Sequence, residues 1–184
     1  IMMSEGAVVF ILENYDNAIK RQAKIYGEIV GYGISNGSES VTKPNVDGQV
    51  LCMNNALKNV NLGDVTYINA HGTGTPVGDL VELQSIEKVF ENKTSDILIS
   101  STKGLHGHLF GAAGAIETIA CLTTLETDVV IPNWNLDVID GNVSDNIILP
   151  NKPVHSKQKV VLNNSFGFGG TNITLAFAGH DENW

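Results

Sequence analysis

The sequence has a single arginine, Arg21, and only eleven cationic side chains against twenty carboxylates, a formal charge of -9. A basic surface able to follow a phosphate backbone cannot be built from that set, which excludes nucleic acid as a partner. Cysteine is equally scarce. Cys52 and Cys121 have neither the number nor the spacing of a disulfide framework or a zinc site, as expected for a reducing compartment and not for secretion. No apolar run reaches the roughly 18 residues of a membrane helix. The apolar start contains Glu5 and lacks the basic flank of a signal peptide. We therefore expect no membrane partner. The expected compartment is the cytoplasm, with mitochondrion or plastid left open because a transit peptide would precede Ile1.

What is present is a chain of 184 residues, 42% hydrophobic, enough to bury the core of one domain spanning residues 1–184. Apolar, β-branched segments recur at Ala7 to Leu12, Ile25 to Ile34, Val65 to Ala70, Ile97 to Ser100, Val160 to Asn163 and Ile173 to Ala178, and read as strands. Helical patterns lie between several of them: Asp16 to Ala23, Gly48 to Asn59 with Val50, Met53, Leu57 and Val60 on one face, Pro76 to Phe90, and Gly111 to Leu125. The alternation predicts an α/β layer structure with a mixed, largely parallel sheet, helices on its faces and consecutive strands at the C-terminal end. Gly33 to Asp47 and Pro132 to Pro153 read as irregular stretches. The strand-like run that begins by Gly6 suggests a text starting inside a folded unit, that is, a fragment.

Three glycine-punctuated turns carry chemistry. Asn69-Ala70-His71-Gly72-Thr73-Gly74-Thr75-Pro76 follows a strand and precedes a helix, with Thr75 as the expected N-cap. A histidine there lies near backbone N–H groups and the positive end of a helix dipole, which favours the neutral ring. A neutral imidazole can donate to a developing oxyanion, and Gly72, Gly74, Thr73 and Thr75 suit a substrate better than a core. Ser100-Ser101-Thr102-Lys103-Gly104-Leu105-His106-Gly107-His108 repeats the arrangement before a small-residue helix, so that Lys103 and His108 can face one pocket. A solvated Lys103 and a structural His108 are the plainer alternative. A metal held by His71, His106 and His108 is disfavoured because no carboxylate or cysteine lies nearby in sequence. The third turn, Asn164 to Asn172, places Phe166 and Phe168 among glycines and leads into a strand, unlike a nucleotide loop.

Glu82 is either a surface glutamate on the helix after Thr75 or a buried partner for Lys103. A nucleophile is missing. Cys52 lies beside the apolar stripe of its helix and Cys121 sits mid-helix among Ile119, Ala120 and Leu122, so both read as small buried residues.

Asn69 to Gly78, Ser101 to Ala115 and Asn164 to Asn172, in that order, resemble the C-terminal half of the elongating β-ketoacyl-acyl-carrier-protein synthases. Glu5-Gly6-Ala7 and Ala23 to Gly33 add weaker support. The resemblance implies a thiolase-like fold, of which this chain would be the second half. It implies His71 and His108 as the active-site histidines, Lys103 as the active-site lysine and Glu82 as that lysine's partner. Thr73 and Thr75 would touch a pantetheine arm. Phe168 would be a gate whose backbone N–H serves the oxyanion hole, with Phe166 and Gly169 of the same turn also binding substrate. The implied reaction is a decarboxylative Claisen condensation of malonyl-carrier protein with an acyl thioester in fatty acid elongation, with no cofactor and no metal. The implied partners are acyl carrier protein, the chain's own N-terminal half, which would hold the nucleophilic cysteine, and a second copy. The fragment alone is expected to be inactive.

Two residues depart from the family pattern: His106 stands where threonine is usual, and Gly74 matches the polyketide-synthase version of the turn. A polyketide-type ketosynthase therefore stays open. So does a non-catalytic pairing subunit of the chain-length-factor kind, although such a subunit has no need of His71, Lys103 and His108 together. A thiolase relative using coenzyme A would need a late catalytic cysteine that the sequence lacks.

Overall fold

The computed structural model describes residues 1–37, 40–91 and 94–180. Along the chain run α1 (Tyr15–Lys20), β1 (Glu28–Asn36), α2 (Val46–Ala56), β2 (Val65–Asn69), α3 (Gly78–Val89) and β3 (Leu98–Ser100). There follow α4 (Lys103–His106), α5 (Ala113–Thr127), the short pair β4 (Val129–Val130) and β5 (Val154–His155), and then β6 (Val160–Phe166) and β7 (Thr171–Ala178). The main sheet has the order β1-β7-β6-β2-β3. β3, β2 and β6 are parallel neighbours, whereas β7 runs antiparallel to both β6 and β1. The mixed α/β sheet expected from sequence is the one observed, with its parallel part at the β2 and β3 edge.

The strands alternate between two cores. Ile68, Leu162 and Ala176 point into the core that also holds Met53 of α2 and Ile86 of α3. Tyr67, Val161 and Phe177, each one residue displaced, point into a second core with Cys121 and Leu125 of α5. A strand apolar on both faces must be covered on both, which is why Tyr67 and Ile68 in β2 and Val160 to Leu162 in β6 are apolar at consecutive positions. Burial of each such side chain stabilises by roughly 1.5–3 kcal/mol relative to exposure. Asn45 caps α2 by accepting from Gly48 N–H at 2.8 Å.

Several expectations need correction. Ala7 to Leu12 forms no strand: among the described residues nothing pairs with it, and Val9, Ile11 and Leu12 are exposed. β-branched sequence supplies propensity, but the extended backbone gains its hydrogen bonds only from a neighbouring strand. Ser35 and Asn36, placed in an irregular stretch from composition, belong to β1, because pairing with β7 continues to Thr171. Thr75 is not a helix cap. α3 starts at Gly78 after Val77, while the Asp79 carboxylate takes the Gly74 and Thr75 N–H groups at 3.1 and 3.3 Å. The one-turn α4 and the β4–β5 pair were not legible, being too short for any periodicity. No helix among the described residues is long and apolar enough to cross a membrane.

Candidate active site

β2 and β3 are adjacent and parallel, so the turns that leave their C-terminal ends lie side by side. His71 is two residues past the end of β2, and Lys103 three past the end of β3. The backbone confirms the proximity: the Lys103 ammonium donates to the His71 carbonyl at 2.5 Å, and Ser101 Oγ donates to the Gly72 carbonyl at 2.8 Å. Gly72 adopts φ 31° and a side chain there would meet the Ser101 Cβ at 2.7 Å, so glycine allows one turn to approach the other.

The two imidazoles meet. The rings of His71 and His108 lie edge to face at 5.6 Å and 87°, and Phe166 packs against His71 at 6.2 Å. His108 receives the Phe110 N–H on Nδ1 at 3.1 Å. The neutral ring then carries its proton on Nε2, free to donate outward. The His108 main chain is fixed by residues from the start of the chain: its N–H donates to Met2 O at 2.7 Å, and its carbonyl accepts from Ser4 N–H at 3.0 Å.

Electrostatics keep both rings uncharged. Burial drives His71 down to about 3, with further depression from the Lys103 and His108 charges. The expected cause was a helix terminus; the main cause is desolvation. His108 is lowered too, by burial first and then by Lys103 and His106.

Lys103 is buried, and its ammonium is paired with the carboxylate of Glu117 on α5. The sequence reading assigned that pairing to Glu82, and the structure overturns it. Glu82 is fully engaged elsewhere: it accepts from the His71 and Gly72 N–H groups, both at 2.9 Å, and from the Asn164 amide at 3.2 Å. Its carboxylate is the acceptor that closes the β2 turn. Burial raises the Glu82 carboxyl above the ordinary range against those bonds, and Glu117 is pushed up to about 7 by burial against the pull of Lys103.

Glu117 was missed because a glutamate on a helix is usually solvated. Its signal was a lone carboxylate among Ala115, Ile116, Ile119 and Ala120. Asn133 was also missed; it holds the β3 turn by accepting from Ser101 N–H at 2.9 Å and donating to Ile99 O at 3.0 Å.

The remaining residues divide. Thr73 and Thr75 are joined through their hydroxyls at 3.2 Å on the rim. Phe166 is 8% exposed beside His71, whereas Phe168 is 78% exposed, next to Gly169 at φ 74°. Both cysteines are buried thiols, raised in pKa by burial; Cys52 donates to the Gly33 carbonyl at 3.2 Å and Cys121 to the Leu162 carbonyl at 3.7 Å. A cavity of about 610 Å³ is lined by Thr73, Gly74, Lys103, His106, His108 and Trp134 among others. That volume is within the range of small-molecule sites.

Comparison with known proteins agrees with this geometry. Residues 26–137 match the family described as Beta-ketoacyl synthase, C-terminal domain. The chain is 41% identical over 176 residues to the 3-oxoacyl-[acyl-carrier-protein] synthase 1 of Haemophilus influenzae, covering 96% of this chain and 43% of the relative. It is 43% identical over 186 residues to the mitochondrial 3-oxoacyl-[acyl-carrier-protein] synthase of Arabidopsis thaliana, covering 96% and 40%. Its fold superposes with a TM-score of 0.86 and 32% identity on a chain from a type II polyketide synthase acyl-carrier protein in complex with its ketosynthase, covering 92% of this chain and 42% of that one. The chain thus spans about two fifths of the length of the relatives it matches. From the paired turns, the sheet order and these matches together, the chain belongs to the β-ketoacyl synthase C-terminal domain family and has its thiolase-like fold.

Proposed function

We propose that this chain is the C-terminal catalytic part of a 3-oxoacyl-[acyl-carrier-protein] synthase that performs decarboxylative Claisen condensation in fatty acid elongation. The observation that carries the reading is the meeting of two neutral imidazoles at the ends of adjacent parallel strands. In the proposed reaction the malonyl thioester loses carbon dioxide, and the electron pair of the broken C–C bond forms an enolate. Negative charge grows on the thioester oxygen. Donors already aimed at that oxygen lower the barrier, and each is worth about 2.7–4 kcal/mol. His108, with Nδ1 occupied by Phe110, has Nε2–H available for that role; His71 is the second donor.

The enolate carbon then attacks an acyl thioester on a cysteine, whose thiolate leaves. That cysteine would lie in an N-terminal portion, since Cys52 and Cys121 are buried thiols that burial holds in the protonated form. Lys103, held by Glu117 and donating to His71 O, fixes the His71 backbone, and its positive field adds to burial, the main cause, in keeping the rings unprotonated. Thr73 and Thr75 would bind the pantetheine arm, and Phe166, Phe168 and Gly169 would line the substrate path. Acyl carrier protein is the proposed partner, with a homodimer as the assembly. The reduced thiols and acidic surface fit cytoplasm or an organelle interior.

The test uses the protein with its N-terminal portion. It should release carbon dioxide from malonyl-carrier protein, and His71→Ala or His108→Ala should abolish the release. Wild-type rates in both variants would refute the assignment.

A further inference from the structure

His106 has both ring nitrogens engaged inside its own turn. Nδ1 lies 2.7 Å from the Gly107 carbonyl, and Nε2 lies 2.9 Å from Thr102 Oγ1. A carbonyl can only accept, so Nδ1 carries the proton and the neutral ring offers its Nε2 lone pair to the Thr102 hydroxyl. Thr102 Oγ1 is in turn approached by the Asn69 amide at 3.4 Å, from the end of β2. Thr102 immediately precedes Lys103, and Gly107 immediately precedes His108. The ring thus bridges the two ends of the segment that separates the lysine from the histidine. Gly107 is held at φ 76° and has no room for a side chain, since a Cβ would come within 2.8 Å of Ser4 Oγ. Ser4 Oγ itself donates to the His106 carbonyl at 2.7 Å.

We propose that His106 is a positioning residue, a neutral strut between Thr102 and Gly107 that sets where His108 stands relative to Lys103. The inference rests on the reading above, in which His108 donates to the thioester oxygen. The charged and titratable groups near the ring are Lys103 and His108, and burial together with the Lys103 charge lowers the affinity of His106 for a proton. A second proton would have to sit on Nε2. A ring protonated there would reverse that bond and donate to Thr102 Oγ1, whose two lone pairs can accept from both His106 and Asn69. Both hydrogen bonds are short-range and internal to the turn, which separates this role from general packing.

The test measures carbon dioxide release from malonyl-carrier protein by the protein with its N-terminal portion, in wild type, His106→Phe, His106→Gln and Thr102→Val. His106→Phe keeps the ring and removes both nitrogens; His106→Gln restores a polar group opposite Thr102. We expect His106→Phe to lower kcat about 10- to 100-fold, the scale of a misplaced catalytic group, with KM within about threefold of wild type. His106→Gln should recover part of that loss. Thr102→Val should lower kcat as well, and add little in the His106→Phe background. An unchanged kcat in His106→Phe, a loss expressed wholly in KM, or a glutamine variant no better than phenylalanine would each overturn the inference while wild-type activity keeps the functional reading intact. A wild type that releases no carbon dioxide overturns both. Should His106→Phe not fold, the glutamine and Thr102→Val variants decide by the same kcat and KM readings.

Discussion

The turn after β2 and the turn after β3 each present a histidine beyond a parallel strand, and they hold it by different means. The β2 turn is closed by a carboxylate from its own helix, Glu82, which takes the N–H groups of His71 and Gly72. Among the described residues no carboxylate takes the N–H groups of the β3 turn, where the Asn133 amide oxygen accepts from Ser101 N–H instead. That turn is tied by side chains within the turn, His106 and Thr102, by Asn133, and by residues 2–4 along its flank. Burial drives His71 down to about 3, and burial followed by the Lys103 charge lowers His108 as well. Both rings are half-buried, the His71 turn tied through Glu82 and the His108 main chain through residues 2 and 4.

Lys103 and Glu117 join the two turns to α5, and breaking them should give the largest effect. Glu117→Leu leaves a buried ammonium unpaired, and we expect a loss of about 3–5 kcal/mol in urea unfolding of the protein with its N-terminal portion. Lys103→Met should cost less below pH 7, because the orphaned Glu117, already pushed up to about 7, can take a proton and shed its charge. Equal losses in the two variants would show that the pair is not what couples the turns.

Glu82→Gln probes the β2 turn alone. Replacing a carboxylate that accepts from two backbone N–H groups should cost about 1.5–3 kcal/mol, while the decarboxylation rate of His108-dependent chemistry falls less than in His108→Ala. A substitution within ±0.5 kcal/mol of wild type would mean that the turn holds itself.

The smallest effect is a pH dependence. A half-buried His71 that resists protonation binds fewer protons folded than unfolded between its ordinary 6.5 and about 3, so its contribution is present above pH 6.5 and is lost as pH falls toward 3. Glu82 and Glu117, raised by burial, act with the opposite sign, losing stability as pH rises. The comparison must therefore be between variants: His71→Phe should lose less stability than wild type when the urea midpoint is measured at pH 7 and pH 5. An identical shift in both would show that His71 does not titrate in that window.

Much of this was legible before any coordinates. The strand positions of β2, β3, β6 and β7 followed from β-branched runs, and the three glycine-rich turns located His71, Lys103 and His108. What failed shares one cause. Ala7 to Leu12 looked like a strand, but a strand is defined by its neighbour, and composition does not state one. The family resemblance implied Glu82 as the lysine's partner; the partner was Glu117, on the helix after the second turn. Which of two carboxylates reaches an ammonium depends on how α3 and α5 sit on opposite faces of the sheet.

By itself the sequence determined the order of elements, the residue types at each strand-to-helix turn and the small residues that let those turns approach. These are local matters, set by side-chain periodicity and by glycine's conformational range. Only the tertiary structure decided that β2 and β3 lie side by side, that the rings of His71 and His108 meet at 5.6 Å, and that Lys103 belongs to Glu117. Those facts depend on contacts between residues far apart in the chain, and on desolvation that no single segment can produce alone.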